Sequence, residues 1–126
     1  IRDRLYAERR LDVVLNEALL ENLSDTIPIL PALAADEFYE ILRGYARING
    51  LKPTVSSKLN IQTTGLVELA SLPSTFFDID NNTGLVDIAS VSSFGFGRAV
   101  NIVSTDFESP SATTVQIQLV YRIIKI

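Results

Sequence analysis

The feature that most constrains this chain is a long alternating run near its C-terminus, from Thr113 to Ile124. Apolar side chains occupy every second position there, and most positions between them are polar. A period of two places alternate side chains on opposite faces of an extended strand, so the run predicts a long β-strand with one buried face. The apolar face comprises Val115, Ile117, Leu119, Tyr121 and Ile123, and the other face carries Gln116, Gln118 and Arg122.

Shorter runs of β-favouring residues precede this strand, separated by Gly, Pro, Ser and Asn. They span residues 58–63, 66–69, 76–80, 85–89 and 99–104. The segment Asn81-Asn82-Thr83-Gly84 separates two of them and contains residues that tolerate positive φ. The stretch from Phe77 to Ser90 is therefore predicted to form a β-hairpin.

The first fifty residues follow a different pattern. Leu11, Val14, Leu15, Ala18 and Leu19 recur at helical spacing. A second such run follows Asp36-Glu37 and ends at Asn49-Gly50. Periodicity alone therefore predicts two helices, the second near residues 37–47.

Composition excludes several classes of function. The 126 residues suit one domain with a real core, and they include neither Cys nor His, which excludes thiolate and imidazole sites. We see no pairing of a nucleophile with a base and expect no enzyme activity. The net charge of −4 argues against a nucleic-acid partner, because the one basic cluster (Arg2, Arg4, Arg9, Arg10) is interrupted by acids. No apolar run reaches the roughly 20 residues of a membrane span, so no direct membrane insertion is expected, and the absence of Met suggests a piece of a longer protein.

Three stretches together resemble an extracellular cadherin repeat. Residues 21–36 contain a Glu-Asn opening and an Ala-x-Asp ending, residues 77–86 contain Phe-x-Ile-Asp-x-x-Thr-Gly, and residues 100–119 resemble the last two strands with their Asp-bearing loop. The resemblance implies a mainly β fold, an immunoglobulin-like antiparallel β-sandwich over residues 12–126, preceded by an extension or linker at 1–11. On this interpretation, residues 12–20 form an edge strand, residues 26–33 form a strand interrupted by Pro28 and Pro31, and the helix near 37–47 is an insertion.

The resemblance also implies calcium binding between successive repeats, through carboxylates at both ends of the sandwich and an acidic linker. Glu21, Asp36 and Asp106 match carboxylates that bind calcium in the family. Other ligands are missing, since Phe38 replaces an aspartate and residues 120–126 lack the acidic linker. Calcium needs six to eight oxygen ligands, so we expect weak or absent binding.

Two tripeptides are N-glycosylation sequons, at Asn22 and Asn81, and they matter only if the protein is secreted.

The sequence thus predicts a non-enzymatic structural or adhesion module of a larger extracellular protein, membrane-anchored or secreted. Its partners would be neighbouring repeats, other proteins or further copies of itself, with calcium as the candidate cofactor. The alternative is a viral or phage structural protein with an N-terminal helical region and a β domain, located in the virion and assembling through exposed strand edges.

Overall fold

The computed structural model describes residues 7–89, 95–108 and 113–126. Strands account for 51% of the structure and helices for 12%. The described strands are β1 Arg9–Leu15, β2 Ile27–Leu30, β3 Glu37–Asn49, β4 Leu59–Thr63, β5 Glu68–Leu72, β6 Thr83–Leu85, β7 Asp87–Ile88, β8 Val100–Val103 and β9 Thr114–Lys125. The helical segments are α1 Glu17–Glu21 and two 3₁₀ helices, Leu23–Asp25 and Ser74–Asp78.

The strands form two antiparallel sheets. Sheet A has the order β1-β9-β3-β6, and sheet B has the order β2-β8-β4-β5-β7. The buried side chains of both sheets belong to one hydrophobic cluster, as expected for two sheets packed face to face. The predicted mainly β, antiparallel β-sandwich is therefore confirmed.

The strand pairs are nested along the sequence. β1 pairs with β9, β2 with β8, β3 with β6, and β4 with β5. This is the winding of a jelly roll, a double sheet built from two Greek keys, with β7 as a short addition at one edge. In an immunoglobulin-type sandwich the last two strands belong to the same sheet. Here β8 and β9 lie in different sheets.

The long C-terminal strand matches its prediction closely. β9 runs from Thr114 to Lys125, and Val115, Ile117 and Leu119 on its inner face are fully buried. β9 is central in sheet A, between β1 and β3, which explains the strength of its alternation.

The predicted helix near residues 37–47 is wrong, because these residues belong to β3. β3 pairs with β9 along its whole length, except at a β-bulge where Leu42 is the extra residue. The bulge changes which positions face the core: Ile41 is buried before it, and Gly44 and Ala46 are buried after it. This change of phase gives the apolar residues the spacing of a helix.

The N-terminal run also divides differently from its helical spacing. β1 starts at Arg9, within the segment predicted as an extension, and ends at Leu15. Asn16 then caps α1, and its side-chain oxygen accepts the Leu19 amide at 3.0 Å. The predicted edge strand over 12–20 is therefore correct only in its first half, because residues from Glu17 onward are helical. β2 lies at the edge of sheet B, where its Pro28 is tolerated.

The predicted hairpin over residues 77–90 is also wrong within its described part. Phe77 lies in a 3₁₀ helix, and the residues after the turn pair with distant strands, β6 with β3 and β7 with β5. Between β6 and β7 the buried Val86 marks the point where the chain passes from sheet A to sheet B.

Candidate functional site

The outward surface of sheet A is the most distinctive surface of the described molecule, and we call it the sheet A outer face. Along each strand, every second side chain points outward to this face, and the side chains between them point to the core. The pairing aligns them in rows across the four strands, such as Asp12, Gln118, Tyr45 and Leu85. The face comprises Arg10, Asp12 and Val14 from β1, Gln116, Gln118 and Val120 from β9, Arg43, Tyr45 and Arg47 from β3, and Thr83 and Leu85 from β6.

A shallow concavity of about 320 Å³ lies in this face. Tyr45 and Leu85 line it, and their side chains are 49% and 75% exposed. Arg10, Asp12 and Arg43 provide charged groups around them. An exposed tyrosine beside arginines is a composition typical of protein interfaces.

Two ion pairs support the charged part of sheet A. Arg43 donates two hydrogen bonds to the carboxylate of Glu8, at 3.0 and 3.4 Å, and Arg122 donates to Glu40 directly opposite it. The hydrogen bond and charge of Arg43 lower the pKa of Glu8 below its ordinary value of 4.5. The first pair reaches across β9 to the residue before β1, and the second ties β3 to its neighbour β9.

The outward surface of sheet B has a different chemistry. Its central positions are amides, including Asn60, Gln62 and Asn101, and the Lys58 ammonium lies 2.7 Å from Glu68. Its large apolar side chains mostly face the core. Of the two outward faces, sheet A's is therefore better suited to bind another protein.

The edges of the two sheets differ in length. β1 is an edge strand of seven residues without proline. The other edge strands are shorter, with four residues in β2, three in β6 and two in β7, and β2 contains Pro28 and a bulge. Short strands, prolines and bulges discourage strand addition, so β1 is the edge least protected against it.

The three predicted calcium ligands are divided between the two ends of the sandwich. The Ser104 amide donates to the Leu23 carbonyl at 3.1 Å, which places the segments carrying Glu21 and Asp106 at one end of the sandwich. Asp36 precedes β3 at the other end, 3.8 Å from the Lys125 ammonium. β9 alone, with 12 residues, separates the two ends by roughly 36 Å, at about 3.3 Å per residue. Across residues 7–89, 95–108 and 113–126, no group of three or more acidic side chains is placed to hold a metal ion.

Both sequon asparagines are exposed, and both side chains take part in hydrogen bonds. The Asn22 amide donates to the Ala18 carbonyl at 2.8 Å, and the Asn81 side-chain oxygen accepts the Gly50 amide at 2.9 Å. Asn22 is therefore bonded through the nitrogen that a glycan would modify, whereas Asn81 is bonded through its oxygen.

The residues of the sheet A outer face were missed at the level of sequence. Arg43, Tyr45 and Arg47 lie in the run read as a helix, where they have no common face. Their period of two is visible once the bulge at Leu42 is known. The same alternation in β9 was recognised, and Gln116 and Gln118 were placed correctly on its outward side.

No known protein family and no curated protein matches this sequence. Among solved structures, the fold is similar to that of the cyanophage Pam1 capsid asymmetric unit, with a TM-score of 0.53 and 12% sequence identity. The similarity covers 93% of this chain and 85% of that chain. At this identity the similarity concerns the fold alone. None of the described helices is long and apolar enough to cross a membrane.

Proposed function

We propose that this chain is a non-enzymatic structural protein of a viral or phage particle, which acts by associating with other protein chains. The observation that carries the proposal is the nested jelly-roll pairing, since this architecture is used by viral capsid domains. The fold similarity to a phage capsid unit supports it further, because it extends over most of both chains.

The surface chemistry supports an assembly role. The sheet A outer face exposes Tyr45 and Leu85 among arginines, which suits a protein partner. No group of three or more of the described acidic side chains is placed to hold a metal ion. The chain also has no histidine or cysteine, the residues on which many catalytic centres depend. The virion is the location that this proposal implies.

The test is the assembly state of the full chain. We expect sedimentation velocity at micromolar concentration to give discrete oligomers, and electron microscopy at higher concentration to show closed rings, shells or ordered arrays. A chain that remains monomeric in both measurements contradicts the proposal.

The second candidate is the extracellular adhesion module implied by the cadherin resemblance. One observation favours it: Glu21 and Asp106, two of the three matched carboxylates, lie at the same end of the sandwich. Calcium titration calorimetry distinguishes the candidates. A micromolar site that is lost in Asp106→Asn and retained in the control Asp12→Asn, which lies in the middle of β1 away from both ends, supports the adhesion module, whereas the capsid proposal requires no such site.

A further inference from the structure

The outer edge of β1 is open in the described structure. β1 bonds to β9 on one side, and among residues 7–89, 95–108 and 113–126 no backbone hydrogen bond outside the sheet ladders involves β1. An unpaired strand edge presents a row of N–H and C=O groups that another extended strand can bind. β1 has the length to do so, with seven residues and no proline.

We propose that β1 pairs antiparallel with β1 of a second copy of this chain, around a two-fold axis that passes beside Leu11. The two A sheets would then join into one eight-stranded sheet, with both outer faces on the same side. The inference deepens the proposed function and rests on it, because it names the edge through which copies associate. Such a contact is isologous: each copy contributes the same residues.

The charges of β1 select this register. Arg10 and Asp12 both lie on the sheet A outer face, two positions apart, and neither forms an ion pair within the described chain. With Leu11 on the axis, Arg10 of each copy lies directly opposite Asp12 of the other copy. Opposite charges at such cross-strand positions are stabilising.

Neighbouring registers are unfavourable. An axis at Asp12 places the two Asp12 carboxylates opposite each other, and an axis at Arg10 does the same for the two guanidinium groups. Like charges directly opposite are destabilising. A slip of one residue sets outward positions of one copy against core-facing positions of the other, so the two outer faces would lie on opposite sides of the joined sheet.

The apolar residues of β1 fit the same register. Leu11 and Val13 are partly buried and pack against the core from the edge of sheet A. Pairing around Leu11 brings the two Leu11 side chains together on the core side of the joined sheet. The pairing therefore covers apolar surface as well as aligning charges.

A charge exchange tests the pairing. Arg10→Asp and Asp12→Arg each create two repulsive pairs, so each is expected to raise the dimer dissociation constant at least roughly tenfold. The double variant restores opposite charges and should restore dimerisation. Asp25→Arg is the matched control, since it makes the same charge change at an exposed position outside β1 and should leave the dimer intact. Single variants that dimerise like the natural chain, or a double variant that does not recover, overturn the inference.

Cysteine crosslinking tests the register itself in a chain with no native cysteine. With Leu11 on the axis, the two Cα atoms at position 11 are about 4.5–5.5 Å apart, within the range of a disulfide. Leu11→Cys should therefore crosslink on oxidation. Val13→Cys is the control on the same face, because each Cys would lie opposite Arg9 of the other copy, and it should remain uncrosslinked. Circular dichroism confirms that both variants fold.

These outcomes separate the inference from the proposed function. If the chain forms particles but every charge variant keeps its dimer affinity, β1 pairing is refuted and the particle role stands. A charge-dependent, position-specific dimer that forms no larger assembly supports β1 pairing and refutes the particle role. A natural chain that stays monomeric refutes both.

Discussion

Val86 occupies the space that a side chain at Gly44 would need. The Val86 amide donates to the Gly44 carbonyl at 2.9 Å, and a Cβ placed on Gly44 would lie 2.7 Å from the Val86 Cβ and 2.8 Å from a Leu119 methyl carbon. Val86 is the buried residue between β6 of sheet A and β7 of sheet B. The absence of a side chain at position 44 therefore allows the chain to pass between the two layers.

Replacing Gly44 with alanine should destabilise the fold by about 1–3 kcal/mol, because the new methyl overlaps a Cβ that cannot move without the backbone. Gly65→Ala is the matched control: its methyl would lie 3.6 Å from the nearest atoms, an ordinary contact, so its effect should be close to zero. Urea unfolding of both variants measures the difference. Equal stabilities would show that the Val86 segment is free to adjust.

The sequence revealed the turn near Asn81 but not the partners of the strands beside it. Asn81 has a φ of +54°, as its residue type suggested. The segments on either side lacked a signal for their partners, because alternation reports which face is buried and not which strand lies alongside. β6 and β7 are also too short, at three and two residues, to show a period of their own.

The helix predicted at residues 37–47 failed for a different physical reason. A bulge adds one residue to a strand, and this joins two correctly alternating halves out of phase. Ile41, Leu42 and Tyr45 then mimic the spacing of a helix, although Leu42 is the bulged residue and Tyr45 faces outward. β9 has no such interruption in its central part, and its prediction succeeded.

The candidate site was harder to predict than the fold. The sheet A outer face combines four strands that are distant in sequence, so Asp12, Gln118, Tyr45 and Leu85 form a row only after the strand order is known. The resemblance gave Glu21, Asp36 and Asp106 as candidate calcium ligands, but motif order says little about which end of the sandwich each residue reaches. This sandwich separates Asp36 from the other two.

Phe77 is expected to be a major stabilising side chain. It is 1% exposed and packs edge-to-face against Phe76 and Phe107, with ring centroids 5.1 and 4.8 Å away. Phe77→Ala should cost about 3–5 kcal/mol, since it leaves a large cavity. Phe96→Ala is the control: Phe96 also contacts one ring, that of Phe38, but is 41% exposed. Thermal unfolding measures the stability of both variants. Comparable losses of stability in Phe77→Ala and Phe96→Ala would contradict the larger role given to Phe77.

Asn81 suits its turn in two separable ways: asparagine tolerates the positive φ, and its side-chain oxygen accepts the Gly50 amide. Asn81→Ala loses both and should destabilise the protein by about 1–3 kcal/mol. Asn81→Gly loses only the hydrogen bond, because glycine adopts positive φ without steric cost, so it should lie between the natural protein and the alanine variant. Chemical denaturation measures the free energy of unfolding of both variants. If Asn81→Gly is no more stable than Asn81→Ala, backbone strain is unimportant here.

The pair of Glu8 and Arg43 should be visible in an NMR titration. The pKa of Glu8 is held below 4.5 by Arg43, so Arg43→Gln should raise it towards that value, whereas Arg47→Gln should not. A lowered folded-state pKa means that the pair's contribution to stability is present above pH 4.5 and is lost as the pH falls through the lowered value. Both side chains are more than half exposed, so added salt should weaken the shift. An unchanged Glu8 pKa in Arg43→Gln would contradict the assignment.

Tyr39 should make the fold sensitive to alkali. Its side chain is buried, its hydroxyl donates to the Pro31 carbonyl at 2.6 Å, and its ring packs edge-to-face against Tyr121. Burial, followed by the nearby Tyr121, raises the pKa of Tyr39 above its ordinary value of 10.0. The folded state therefore resists deprotonation, and the resulting stability is complete below pH 10.0 and is lost as the pH rises through the raised value.

Tyr39→Phe separates the hydrogen bond of Tyr39 from its ionisation. At neutral pH the variant should lose about 1 kcal/mol, because the phenylalanine ring remains buried without its hydrogen bond. Above pH 10 its stability should fall less steeply than that of the natural protein, because the group that must ionise is gone. Tyr45→Phe is the control, since Tyr45 is 49% exposed on the sheet A outer face. Urea unfolding across this pH range measures both effects, and parallel curves for Tyr39→Phe and the natural protein would contradict the role given to the buried hydroxyl.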